Sequence, residues 1–264
     1  MLVHFSKYHG TGNDFIMLDG RGLQHSHFSS GIIKQICDRR FGVGGDGLII
    51  LEESHSYDFT MRYYNADGRE GTMCGNGGRC ISSFARKLGI VQQETVFEGI
   101  DGKHSASFTS RGEIRLKLAD VSGIQELEDG YLLNTGSPHF VKLSENLEEI
   151  DVERIGAEIR RQERFGPGGV NVNFLEAEAG KDRIAVRTFE RGVEGETWSC
   201  GTGVTAAAIL ASFHFNTDIN SYSVETRGGL LNVTFERQDK QNFRDIYLTG
   251  PASHVYDGSI EIAV

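Results

Sequence analysis

The chain has 264 residues, 38% hydrophobic and 24% charged, with a formal net charge of −10. That composition is globular and long enough for a large core in one or two domains. The acidic balance argues against nucleic acid as a partner. Four cysteines are too few for a disulfide scaffold. With no apolar run near the ~18 residues of a spanning helix and no signal-peptide core at the N-terminus, a cytoplasmic protein with no membrane partner is expected.

In chain order, β-branched and aromatic runs predict strands over 2–5, 15–19, 48–52 and 61–64. Further strands follow over 105–109, 114–118, 140–143, 173–177, 184–188, 222–226, 230–235 and 244–248. Three-and-four apolar spacing predicts helices over 32–38, 79–88, 151–160 and 204–212. Turns are supplied by Asp-Gly at 67–68 and 101–102 and by Gly-Gly at 228–229. The polar, acidic stretch 119–130 reads as the crossing between two halves.

One arrangement occurs twice. A strand leads to Cys74-Gly75-Asn76-Gly77-Gly78 and then a helix, and another leads to Cys200-Gly201-Thr202-Gly203 and then a helix. A cysteine at a helix N-terminus meets exposed backbone N–H groups and the positive end of the helix dipole, which favour a thiolate and bind anions. The two cysteines lie 126 positions apart, near half the chain, and the same shift aligns Gly10-Thr11 with Gly136-Ser137, Tyr63 with Phe189 and Glu70 with Glu196. An internal duplication follows, with a pocket between the halves and one cysteine on each side.

Cys37 and Cys80 fit the ordinary role of a buried structural thiol. No Cys-x-x-Cys or His-x3-His spacing completes a metal site. The loop Gly42-Val43-Gly44-Gly45-Asp46-Gly47 precedes a strand rather than joining a strand to a helix, so it is no dinucleotide fingerprint. No lysine stands in a Schiff-base context. Asn13, Asn65, Asn76, Asn171 and Asn173 read as turn residues beside strand ends. Glu190-Arg191 ends a strand where an acid and an arginine can pair with the ammonium and carboxylate of a zwitterion. His139, on base rates alone, is a core histidine.

Together these residues resemble the diaminopimelate epimerases. The resemblance rests on Asn65-Ala66-Asp67-Gly68, on Met73-Cys74-Gly75-Asn76-Gly77-Gly78-Arg79-Cys80, on Glu190-Arg191-Gly192 and on Ser199-Cys200-Gly201-Thr202-Gly203. It runs from His9 to Ala252. Proline racemases and hydroxyproline epimerases are similar, but typically carry histidine where this chain has Asn76.

The resemblance implies an α+β fold of two similar lobes related by a pseudo-twofold axis, each a barrel-like sheet around a central helix. The lobes would span 1–120 and 121–249, with 250–264 packing back on the first. It implies a cytoplasmic homodimer that needs no cofactor and no metal and interconverts LL- and meso-diaminopimelate on the route to lysine and peptidoglycan. Cys74 and Cys200 carry over as the acid/base pair. Asn13, Asn65, Gly75, Asn76, Ser137, Asn171, Glu190, Arg191, Gly201 and Thr202 carry over as substrate contacts, and His139 and Glu190 as tuners of the thiols. Two positions depart from a common form of the pattern: glutamine is frequent near Gly47, and asparagine where this chain has Ser137. The competing readings are a proline or hydroxyproline epimerase, a dithiol redox protein and a non-catalytic amino-acid binder.

Overall fold

In the computed structural model, residues 1–22 and 28–262 are described; 263–264, the end of the returning segment, lie outside them. The chain divides into a first unit, Met1–Leu116 with Pro251–Val264, and a second unit, Lys117–Gly250.

The first unit begins with β1 (Leu2–Gly10), β2 (Asn13–Asp19), α1 (Ser30–Cys37), β3 (Gly47–Glu52), β4 (Phe59–Asn65) and β5 (Glu70–Gly71). It continues with α2 (Gly75–Lys87), β6 (Glu94–Gly99), β7 (Gly102–Phe108) and β8 (Ile114–Lys117). In the second come the short β9 (Val121–Ser122) and β10 (Gln125–Leu127), then β11 (Gly130–Asn134), β12 (Pro138–Leu143), α3 (Val152–Arg160), β13 (Asn171–Glu176) and β14 (Arg183–Glu190). β15 (Gly195–Thr197), α4 (Gly201–His214), β16 (Ser221–Thr226), β17 (Gly229–Arg237) and β18 (Asn242–Gly250) complete it. The last strand, β19 (Ser253–Glu261), returns to the first unit and pairs antiparallel with β1.

The duplication extends to topology. In the first unit β2 and β3 pair in parallel across α1, and β4 and β6 in parallel across α2. In the second, β12 and β13 pair in parallel across α3, and β14 and β16 across α4. Each parallel step needs a crossover, which the helices supply.

Strands with a helix on each face must be apolar on both. All six residues of β3 are buried. Leu48 and Ile50 join Ile33 and Ile36 of α1 in one cluster, while the next residue along, Ile49, reaches the first turn of α2 at Gly77. β13 works the same way: Val172 and Phe174 pack with Val152 and Ile159 of α3, and the alternate face carries Asn171 and Asn173. α4 is buried almost all round, from Gly201 to Ser212, as expected of an internal helix.

Two expectations need correction. The glycine-rich segments after Cys74 and Cys200 are not turns; helices begin at Gly75 and Gly201, with the cysteines as N-caps. Tight burial holds the backbone helical there despite the low propensity of glycine. The 119–130 stretch, read as the crossing between two halves, carries two short strands: β9 pairs with β18 and β10 with β11. Asn76 lies inside α2 and Asn173 inside β13, not in turns.

Candidate active site

In the first unit the site is built on the N-terminus of α2. Cys74 has extended backbone, with φ −104° and ψ 150°, and its Sγ accepts from Gly77 N–H at 3.1 Å. A thiol there takes the place of the usual serine or aspartate cap and sits among the unsatisfied donors of the first turn. Asn76 is buried and donates to Asn13 Oδ1 at 3.2 Å, and Asn13 donates to Asp46 Oδ2 at 2.7 Å. Arg39 in turn pairs with Asp46 at 2.8 Å, so a surface ion pair braces the asparagine chain. Arg39 and Lys7 hold the Asp14 carboxyl down at about 2 against the opposing pull of burial. Asn65 sits apart from this chain, at the end of β4. It accepts from Tyr63 Oη at 2.9 Å and donates to the Arg69 carbonyl at 3.4 Å.

Gly47 stands opposite Asn65 in the β3–β4 ladder. A Cβ there would lie 2.6 Å from the Tyr64 carbonyl oxygen, so no glutamine side chain fits at this position without moving the ladder.

In the second unit Cys200 caps α4 and is only 6% exposed. Its Sγ lies 3.5 Å from Thr202 Oγ1, and that oxygen lies 2.9 Å from His139 Nε2. His139 is fully buried, and its Nδ1 lies 3.1 Å from Asn173 Nδ2. Asn173 is itself fixed: Nδ2 also donates to the Phe140 carbonyl at 3.1 Å, and Oδ1 accepts from Thr188 Oγ1 at 2.9 Å. Amide nitrogens face both ring atoms, Asn173 at Nδ1 and, more distantly at 3.4 Å, Asn171 at Nε2. The shorter Asn173 contact makes Nδ1 the acceptor and leaves the ring proton on Nε2, toward the Thr202 oxygen. His139 then donates to Thr202, whose hydroxyl proton is left to point at the sulfur. Burial, together with the Arg191 charge, pushes the His139 pKa down to about 3 despite the opposing hydrogen bond from Asn173. The ring is neutral near pH 7.

The far side of this network is polar. Asn171 donates to Ser137 Oγ at 3.0 Å, Arg191 N–H donates to Asn171 Oδ1 at 2.8 Å, and Arg191 Nη2 reaches Ser137 Oγ at 3.4 Å. Serine therefore makes, at position 137, bonds that join the arginine to the asparagine. Glu190 ends β14 immediately before Arg191. Gly203 is required by close packing, since a Cβ there would lie 2.4 Å from Asn173 Oδ1.

Of the residues singled out in the sequence, Cys74, Gly75, Asn76 and Asn13 come together at α2. Cys200, Gly201, Thr202, His139, Asn171, Ser137 and Arg191 come together at α4. The remaining thiols are poor nucleophiles: burial pushes Cys37 up to about 11 and Cys80 higher still. Sequence reading overlooked Thr188, took Asn173 for a turn residue and gave Arg79 no role beyond its place in the motif. An asparagine inside the apolar run of β13 and an arginine in a buried helical turn are the signals that marked the last two.

The comparisons agree with the motifs. The family model described as diaminopimelate epimerase matches residues 5–120 and 131–255. A diaminopimelate epimerase of Flavobacterium psychrophilum is 45% identical over 254 residues, covering 96% of this chain and 98% of the relative. One from Aquifex aeolicus is 35% identical, covering 98% of each. Among solved structures, a Bacillus anthracis phenazine biosynthesis protein of the PhzF family superposes with TM-score 0.80 at 15% identity, over 99% of this chain and 100% of that one. A hydroxyproline epimerase from Agrobacterium vitis gives TM-score 0.67 at 14% identity, over 98% and 92%. At such identities the structural matches establish the shared fold alone. By family model and by full-length identity to its curated relatives, the chain belongs to the diaminopimelate epimerase family.

Proposed function

We propose that the chain interconverts LL- and meso-diaminopimelate by exchanging the proton on one α-carbon, with Cys74 and Cys200 as the acid/base pair. The observation that carries this reading is that each of these cysteines, and neither of the other two, occupies the N-cap position of a helix with a buried first turn, Cys74 with its sulfur accepting from the turn and Cys200 without such a bond. Inverting a carbon centre takes a base for one face and an acid for the other, and a thiolate with a thiol meets that demand in either direction. A thiol of pKa about 8.5 is brought toward neutrality by helix N-terminal donors.

The α-proton is weakly acidic, so the developing negative charge must spread into the carboxylate. Backbone N–H groups at Gly75-Asn76 and Gly201-Thr202 are the donors assigned to it, and losing one such donor costs roughly 3–4 kcal/mol of transition-state stabilisation. Recognition of the distal amine and carboxylate falls to Arg191, Ser137, Asn171 and Glu190, with Asn13 and Asn65 from the first unit. Such a site rejects substrates lacking those groups. The reading calls for no cofactor and includes a homodimer in the cytoplasm; sedimentation at assay concentration tests the dimer.

The decisive experiment is epimerisation of LL-diaminopimelate in deuterium oxide without added cofactor. Deuterium should enter the α-position as inversion proceeds, and Cys74→Ala and Cys200→Ala should each abolish inversion. Full activity in both variants would end the two-thiol reading. Proline and 4-hydroxyproline run in parallel separate the alternative, which shares the fold but has no use for the Arg191–Ser137–Asn171 cluster.

A further inference from the structure

Arg79 heads the large, fully buried side chains among the described residues. A buried guanidinium ordinarily has a carboxylate beside it, because an uncompensated charge in the interior is costly. Arg79 makes four hydrogen bonds: Nη1 to the Gly75 carbonyl at 3.1 Å, Nη2 to Asn76 Oδ1 at 2.9 Å and to Thr11 Oγ1 at 3.3 Å, and Nε to the Pro251 carbonyl at 3.3 Å. All four acceptors are neutral. Three of the four bonds end on the first turn of α2 or on the β1–β2 turn beside it, so the cation is pinned next to Cys74.

Charged groups around it are already matched. On β1 and β2, Lys7 pairs with Asp14 at 2.6 Å; where β19 meets α2, Lys87 pairs with Asp257 at 2.6 Å; ahead of β3, Asp46 pairs with Arg39 at 2.8 Å. On the side of Met73, Asp101 accepts from the Met73 N–H at 3.4 Å and pairs with His104 at 3.0 Å. His9 Nδ1, at the β1–β2 turn, accepts from Gly12 N–H at 3.4 Å. Burial pulls the Arg79 pKa down from its ordinary value, and the groups that oppose that pull are two sulfurs, Cys80 and Cys74. Cys80 is sealed from solvent and its thiol is pushed far up by burial, so it stays neutral. Cys74 is half-buried at the helix terminus. The duplicated position in the second unit, Thr205, makes the same bond to the fourth residue back, Oγ1 to the Gly201 carbonyl at 2.9 Å, without any charge. The cation is therefore not needed to satisfy that carbonyl.

We infer that Arg79 is a positioning residue for Cys74, its buried guanidinium serving as the fixed counter-charge that keeps this sulfur a thiolate. The second unit reaches the same end by neutral means, through the His139–Thr202 relay. The inference rests on the proposed function only in giving that thiolate work to do.

The test is the pH profile of iodoacetamide alkylation, read peptide by peptide by mass spectrometry on the full chain without substrate. In Arg79→Met the Cys74 midpoint should rise by about one pH unit or more, an effect of roughly tenfold on the thiolate fraction below it. Arg79→Lys, which keeps the charge, should stay within about half a unit. Cys200, in the other unit, is the internal control, since general loosening would move both midpoints. Should Arg79→Met not fold, Thr11→Asp supplies the missing carboxylate instead; Thr11 has φ 50°, a left-handed conformation that aspartate accepts. It should raise the Cys74 midpoint in the same way. A folded Arg79→Met or Thr11→Asp protein whose Cys74 midpoint stays within about 0.3 unit of wild type would overturn the inference. Because no turnover is measured, that outcome is independent of whether the chain epimerises diaminopimelate.

Discussion

Thr202→Val removes one oxygen and keeps the shape of the side chain, so its effects can be worked out bond by bond. Thr202 Oγ1 accepts from His139 Nε2 at 2.9 Å and lies 3.5 Å from Cys200 Sγ. Valine leaves the histidine N–H without that acceptor at a fully buried position, which costs about 1–3 kcal/mol of folding stability. It also removes a hydroxyl donor from the sulfur. A hydrogen bond to a charged group contributes about 1.5–3 kcal/mol, and each 1.36 kcal/mol is one pKa unit. The Cys200 thiol should therefore titrate about one to two units higher. At pH 7 the reaction direction that needs the Cys200 thiolate should slow by about tenfold to a hundredfold. The assay is the pH–rate profile in both directions, with alkylation of Cys200 as an independent readout. Thr202→Ser should stay close to wild type, because it keeps the hydroxyl. An unchanged Cys200 profile in a folded Thr202→Val protein would refute the relay and the tautomer deduced for His139.

Other outcomes follow from single contacts. His139 has its pKa depressed to about 3 in the fold against 6.5 when exposed, so the unfolded chain binds a proton first as pH falls. The stability from its burial is complete above about pH 6.5 and is lost progressively toward pH 3, amounting to about 3 kcal/mol by pH 4. Denaturant titrations of His139→Gln should show a flatter pH dependence across that window; an equal slope would remove this residue from the acid sensitivity. Gly203→Ala places a methyl 2.4 Å from Asn173 Oδ1 and should destabilise by about 1–3 kcal/mol with loss of activity, read by thermal melting and by α-proton exchange. Cys37→Ala, at a thiol pushed up to about 11, should leave the exchange rate unchanged; a slowed reaction there would mean that the wrong sulfurs have been assigned.

Local pattern carried the strands well where a face is buried. Every run read as a strand lies on one, because burial on one or both faces imposes apolar and β-branched residues. Burial of a face is not sufficient, since β6 and β11 also bury residues and were not read as strands; β19 lacks even that signal. Most of Ser253–Glu261 is exposed and polar, and what fixes it is a ladder to β1 some 250 residues away, which no local window contains. The helix starts were missed because Gly75, Gly77 and Gly78 have the propensity of a turn and become helical only where neighbouring groups crowd them. At the site, the two capping cysteines were legible as motif and spacing. The chain Asn173–His139–Thr202 and the bonds from Arg79 to Thr11 and Pro251 join residues distant in sequence, so no local window contains their chemistry.

The β1–β19 ladder also bears on synthesis. The second unit, Lys117–Gly250, is contiguous and holds all of its own strands, so it can fold as it leaves the ribosome. The first unit is started earliest and finished last, its opening strand waiting for residues translated some 250 positions later. A released chain truncated before Ser253 should keep a protease-resistant second unit beside a protease-sensitive first unit.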